Sequence, residues 1–369
     1  MIVTNFILLL LYRSCLRVHA LPTRNETFNN AGEMKLERQR RDAHSHMLRV
    51  HPDGYLYMDL EIGRPQQQLR FEVDTSFGTS LIIAIPSSRG MNFVYYDAEA
   101  SLSKDMGGQS CTYLASEQLN GRKNADVLRI GEYDFMNFHF QMIESLRWRP
   151  AFLDGCSGKL GLAPFSIVTQ ENFAQSLLRF FPNEASFTLW FRPDEDGVYT
   201  TGVFSFGGIH EYRYEWPPVY FPLMSTGASW IIQATKISLG QDVICWQDCN
   251  ILFNTGVPYF YGPQQQIENA HRLLGVDISQ MSGGAYLLDC KNANTYPMLS
   301  VEFGMFHAHW TMSELWEKGR DRRGHICKSG MRTSALVPGW AFGHKLMFKL
   351  FTVFDLGGAR MGLAKASRP

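Results

Sequence analysis

From Tyr55 to Ile62 the chain alternates. Tyr55, Tyr57, Asp59 and Glu61 stand against Leu56, Met58, Leu60 and Ile62. A period of two predicts a strand with one buried face. Gly63-Arg64-Pro65 predicts a turn, and Gln68 to Val73 the second strand of a hairpin. Apolar runs at Leu81 to Ile85, Val127 to Ile130, Phe135 to Met142, Phe187 to Phe191 and Val203 to Phe206 predict further strands. So do Trp230 to Leu239, Phe351 to Phe354 and Arg360 to Ala364. Helical spacing is confined to Phe173 to Phe181, stopped by Pro182, and to Gln264 to Leu274. The pattern predicts an all-β chain.

Two stretches are built alike. Phe71-Glu72-Val73 runs into Asp74-Thr75-Ser76, and Ile251-Leu252-Phe253 runs into Asn254-Thr255-Gly256. Each is an apolar run that stops at a short polar residue, then Thr, then a small residue. About half the chain separates them. Later, Trp340-Ala341-Phe342-Gly343 echoes Lys159-Leu160-Gly161. This order predicts a duplicated architecture, two lobes that each bring one loop to a shared cleft. The boundary falls in Glu211 to Pro218, which is polar, Tyr-rich and ends in two prolines. It separates an N-terminal lobe (42–214) from a C-terminal lobe (215–369).

Composition narrows the class. The 369 residues are 45% hydrophobic and 19% charged, enough for two domains with a large core. The formal net charge of zero gives no reason to expect nucleic acid. At the N terminus, Ile7 to Leu11 is apolar and Val18-His19-Ala20 ends in a small residue, so residues 1–20 read as a secretory signal. An uncleaved anchor is the rival, but the block is short for a bilayer. No membrane partner is expected, and the chain is expected to be a secreted monomer. Residues 21–41 are polar. They carry the glycosylation pattern Asn25-Glu26-Thr27 and end in Arg38-Gln39-Arg40-Arg41, so they read as a pro-segment cut by a processing protease at Arg41.

Seven cysteines are present. Cys15 would leave with the signal, and an even set would remain for an oxidising compartment. Cys245 and Cys249 could close a small loop, Cys290 and Cys327 a longer one, and Cys111 with Cys156 is the candidate third pair. Zinc at Cys245 and Cys249 is the alternative, but it lacks a second close pair. His44 with His46, and His307 with His309, also lack a third ligand, so no metal or other cofactor is expected.

Together these residues resemble the pepsin-like aspartic peptidases (family A1), across nearly all of the chain after about Gly54. Asp74-Thr75-Ser76 stands where the family has its first Asp-Thr-Gly. Asp154-Gly155 through Gly161-Leu162-Ala163 resembles its Asp-Gly-Ile-Leu-Gly-Leu-Ala stretch. Phe206-Gly207-Gly208-Ile209 resembles the Leu-Gly-Gly-Ile strand, and Met361-Gly362-Leu363-Ala364 the Val-Gly-Leu-Ala ending. The resemblance implies a bilobal fold with an interlobe cleft. It also implies disulfides at Cys245–Cys249 and Cys290–Cys327, and threonines 75 and 255 bonded across the two loops. Tyr113 is similar to the tyrosine of the family's flap, though Leu114-Ala115-Ser116 lacks the flap's glycines.

The departures fall on the chemistry. Asn254 replaces the second catalytic Asp, Ser76 replaces a glycine, Phe77 a small hydroxyl residue, and His344 an Asp. Hydrolysis by this family needs two carboxylates sharing a proton around a water. An amide keeps a hydrogen-bond donor but cannot exchange the proton. The expectation is an inactive peptidase homologue that binds a peptide or protein in its cleft. The alternative is an active acid endopeptidase working through Asp74.

Overall fold

The computed structural model describes residues 44–84, 94–114, 117–145, 155–165, 171–224, 229–292, 295–318, 326–333 and 339–367. The expected signal, the pro-segment and Arg41 lie outside the described residues. Among those described, the strands form sheets of thirteen, seven and four strands, with only short helices.

The alternation read at Tyr55 to Ile62 is the strand Leu56–Ile62, with Leu56, Met58, Leu60 and Ile62 all buried. It pairs antiparallel with Gln67–Asp74, placing Met58 opposite Phe71 and Leu60 opposite Leu69. Gly63 takes a positive φ of 82° at the turn, which its missing Cβ permits. The first expected helix is Phe173–Phe180, started by a reciprocal Asn172–Gln175 capping box. The second is Gln264–Leu273, with Ile267 and Ala270 buried on one side.

One arrangement occurs twice. Gln67–Asp74 lies beside the parallel strand Gly158–Gly161, with Glu72 opposite Lys159 and Asp74 opposite Gly161. Leu81–Ile83 closes the other side of that strand antiparallel. In the second half, Asp242–Asn254 lies beside the parallel strand Trp340–Gly343, with Leu252 opposite Ala341 and Asn254 opposite Gly343. Phe260–Tyr261 closes it. The two glycines are demanded by crowding. A Cβ on Gly161 would sit 2.7 Å from the Phe77 carbonyl oxygen, and one on Gly343 would sit 2.4 Å from the Tyr259 backbone. The polar-Thr-small loops therefore rise at matching ends of matching strand sets.

The halves share a sheet. Leu350–Asp355 and Arg360–Lys365, from the end of the chain, pair with each other, and Leu350–Asp355 also pairs with Ser186–Pro193. From there the order runs to Tyr199–Phe206, His44–Val50 and Leu56–Ile62. Phe187 stacks on Phe354 at 4.5 Å, and Trp230 meets Phe354 edge-on. The strand His44–Val50 is not visible in the sequence pattern because only Leu48 is buried. Backbone pairing on both sides holds it.

Both expected disulfides are present, Cys245–Cys249 and Cys290–Cys327. The first consumes the thiols that zinc would have needed. The third pairing is corrected. Cys156 is a free, buried thiol packed with Leu81, Ile83, Leu119 and Ile143, and the side chain of Cys111 lies outside those described. Apolar packing, not a partner sulfur, accommodates it, and burial pushes the thiol up to about 12. The histidine pairs have other engagements. His44 stacks on Phe206, the His46 ring bonds the Asp59 carbonyl, and the His309 ring bonds Ser300.

Candidate active site

The two loops meet through their threonines. Thr75 N–H donates to Thr255 Oγ1 at 2.9 Å, and Thr255 N–H donates to Thr75 Oγ1 at 3.0 Å. Each hydroxyl then donates across to the other strand, Thr75 Oγ1 to the Phe253 carbonyl at 2.8 Å and Thr255 Oγ1 to the Val73 carbonyl at 2.7 Å. Both threonines are fully buried, so every one of these groups would be costly to leave unpaired. The near two-fold exchange brings Asp74 and Asn254, each the residue just before its threonine, to one place.

The polar residues are held alike. Ser76 N–H donates to Asp74 Oδ1 at 2.9 Å, and Gly256 N–H donates to Asn254 Oδ1 at 2.9 Å. This leaves the NH2 as the other end of the Asn254 amide, a donor where the family's chemistry needs a carboxyl. Gly256 packs directly on the carboxylate, and a Cβ there would lie 2.4 Å from Asp74 Oδ2. Of the site residues expected from the sequence, Asp74, Thr75, Ser76, Asn254, Thr255 and Gly256 thus come together. Tyr113 lies in the strand Asp105–Leu114, paired with Gln118 of Glu117–Ile130, and its side chain is outside those described.

The residue that sequence reasoning missed is Lys159. Its Nζ lies 2.7 Å from Asp74 Oδ2 and 3.1 Å from Glu72 Oε2. All three side chains are about nine-tenths or more buried. The backbone explains the cluster. Glu72 and Asp74 are two apart and share a strand face, and Lys159 stands opposite Glu72 on the neighbouring strand. The signal in the sequence was a lysine in the apolar run before Gly161, where the resembling motif has isoleucine. The Phe77 ring centroid is 5.6 Å from the same ammonium.

The electrostatics follow. Burial alone would raise the Asp74 carboxyl, but Lys159 and the two hydrogen bonds from Ser76 outweigh it and hold it below the usual carboxylate range. Burial dominates at Glu72, which is raised despite Lys159 and is raised further by Asp74. Burial works against the Lys159 ammonium, yet its two carboxylates hold the proton on more tightly than usual. Asp74 is therefore an ion-paired anion with one oxygen taken by Ser76 and the other by Lys159. A carboxylate bound this way is a poor base.

His344 sits behind the second loop. It is fully buried, and its Nδ1–H donates to the Thr255 carbonyl at 3.2 Å. Burial pushes its pKa down to about 3, so the ring is neutral. It supports the loop backbone and carries no charge into the site.

The comparisons agree with this geometry. Residues 55–366 match the family model described as eukaryotic aspartyl protease, and the chain belongs to that family. It is 24% identical over 342 residues to pregnancy-associated glycoprotein 1 of Ovis aries, spanning 87% of this chain and 84% of the relative. It is 26% identical over 345 residues to pepsin A-5 of Mus musculus, spanning 84% and 82%. It is 22% identical over 346 residues to cathepsin D of Clupea harengus, spanning 87% and 83%.

Proposed function

We propose that this protein is a secreted, catalytically silent member of the aspartyl protease family that holds an extended peptide or protein segment in its cleft without cutting it. The observation that carries this reading is the ion pair between Lys159 and Asp74, at 2.7 Å, beside an amide at Asn254. Peptide hydrolysis here requires one carboxylate to take a proton from water while its partner donates one. In this chain the retained carboxylate is neutralised by an internal cation, and its partner cannot ionise. The groups that shape the loops are kept, and the groups that move protons are not.

Secretion is supported by the apolar block Ile7 to Leu11 and by two disulfides, which persist in oxidising compartments. Among the described residues no helix is long and apolar enough to cross a membrane. A processing protease acting at Arg41 is the expected partner in maturation.

The test is an assay of the chain cleaved after Arg41, from acid to neutral pH, on a denatured protein substrate. No turnover is expected, together with saturable binding of an extended peptide from a library. Cleavage that Asp74→Ala abolishes would overturn the reading in favour of an active acid endopeptidase.

A further inference from the structure

We infer that Arg213 is the floor of a binding site for a small oxyanion, at the turn where the first half of the chain passes into the second. Arg213 ends the short 3-10 turn Glu211–Arg213 and is only 6% exposed. Its guanidinium donates to Ser205 Oγ, to Ser45 Oγ at 3.3 Å and to the Tyr212 hydroxyl at 3.2 Å. These partners are neutral. Among the described residues no carboxylate lies within ion-pair distance of it, whereas buried Lys159 has two. A buried cation without a counter-ion is costly, which calls for a negative charge.

Two further donors point the same way. Arg213 Nε and Trp190 Nε1 are both buried, and neither has a hydrogen-bond partner among the described residues. They belong to adjoining side chains, with the guanidinium carbon 5.8 Å from the Trp190 ring centroid. A water molecule could accept from such donors but would leave the charge unbalanced. A carboxylate, sulfate or phosphate oxygen would answer both needs, since it accepts only and carries charge. Access is at hand. Ser45 is exposed, Tyr212 is 70% exposed, and the half-buried His210 bonds the Ser45 hydroxyl at 2.8 Å. Burial holds the guanidinium pKa below its ordinary value, and a bound anion would relieve this.

The experiment is thermal unfolding of the full chain titrated with phosphate, sulfate or acetate, against chloride at matched ionic strength. A saturable rise in Tm is expected for the wild type. Trp190→Phe keeps the ring but loses the N–H, and should shift the midpoint at least tenfold to higher anion. Arg213→Gln should lose the saturable component. A response to acetate supports a carboxylate ligand such as a peptide supplies, and a response confined to phosphate or sulfate supports an inorganic anion. Sulfate and phosphate also stabilise proteins generally by exclusion from their surface. Equal shifts in all three proteins, or none in any, would overturn the proposal. If Arg213→Gln fails to fold, Trp190→Phe decides.

Discussion

Lys159 and Ala341 occupy the same rung of the two halves. Each stands two residues before the glycine paired with the loop residue, Gly161 with Asp74 and Gly343 with Asn254. Each also faces the strand residue two before that loop residue, Glu72 in one half and Leu252 in the other. The second half fills this rung with apolar atoms. The first half fills it with a charge pair, and the extra cation reaches on to Asp74. The amide at Asn254 and the ammonium on Asp74 therefore come from different residues on different strands.

If the proposed reading holds, restoring one carboxylate does not suffice. Asn254→Asp alone is expected to show no cleavage in a peptide assay at acid pH, because Lys159 still holds Asp74. Asn254→Asp combined with Lys159→Leu and Glu72→Leu should exceed the single variant by at least ~10²-fold, the usual contribution of general acid-base catalysis. Silence in the triple variant would show that Lys159 is not what blocks catalysis and would turn attention to Phe77 and the flap segment.

The buried ion cluster also predicts an asymmetric stability cost. Lys159→Met strands two carboxylates and should cost about 3–5 kcal/mol at neutral pH. Glu72→Leu with Lys159→Ala copies the second half and should cost less than the single variant. Chemical denaturation measures both, and a double variant as damaged as Lys159→Met would show that the cluster is not acting as a unit.

The threonine exchange predicts strong coupling. Thr75→Val or Thr255→Val breaks bonds in both loops and leaves buried groups unpaired, at about 1–3 kcal/mol each. Because the two share their bonds, the double variant should lose clearly less than the sum. Strict additivity in a double-mutant cycle would contradict the geometry.

His344 is expected to make the fold sensitive to acid. Its folded pKa is pushed down to about 3 from an ordinary 6.5. Between those values the unfolded chain binds a proton that the folded chain does not, so stability falls as pH drops through the window. The loss is on the order of 1.4 kcal/mol for each pH unit crossed, and His344→Leu should remove it. Denaturation curves at neutral pH and near pH 4 measure it, and parallel pH slopes in both proteins would refute it.

Much of this protein was legible in one dimension. The strand Leu56–Ile62 and its hairpin partner announce themselves by alternation, because a half-buried strand must place side chains on opposite faces. The paired loops are local motifs, so the fold class and the replacement of Asp by Asn at position 254 could be read from neighbouring residues. His44–Val50 could not, since its stability is backbone pairing and its side chains are mostly exposed.

What the sequence by itself determined was the duplicated all-β frame and the missing second carboxylate, both written within a few consecutive residues. Only the tertiary structure decided what became of the first carboxylate. Lys159 and Asp74 are 85 positions apart, and the parallel register of two strands is what places an ammonium on that oxygen. Contact between distant residues depends on which strands neighbour each other and in what register. The same reason left Cys156 without its expected partner and gathered Ser45, Trp190 and Ser205 around the buried charge of Arg213.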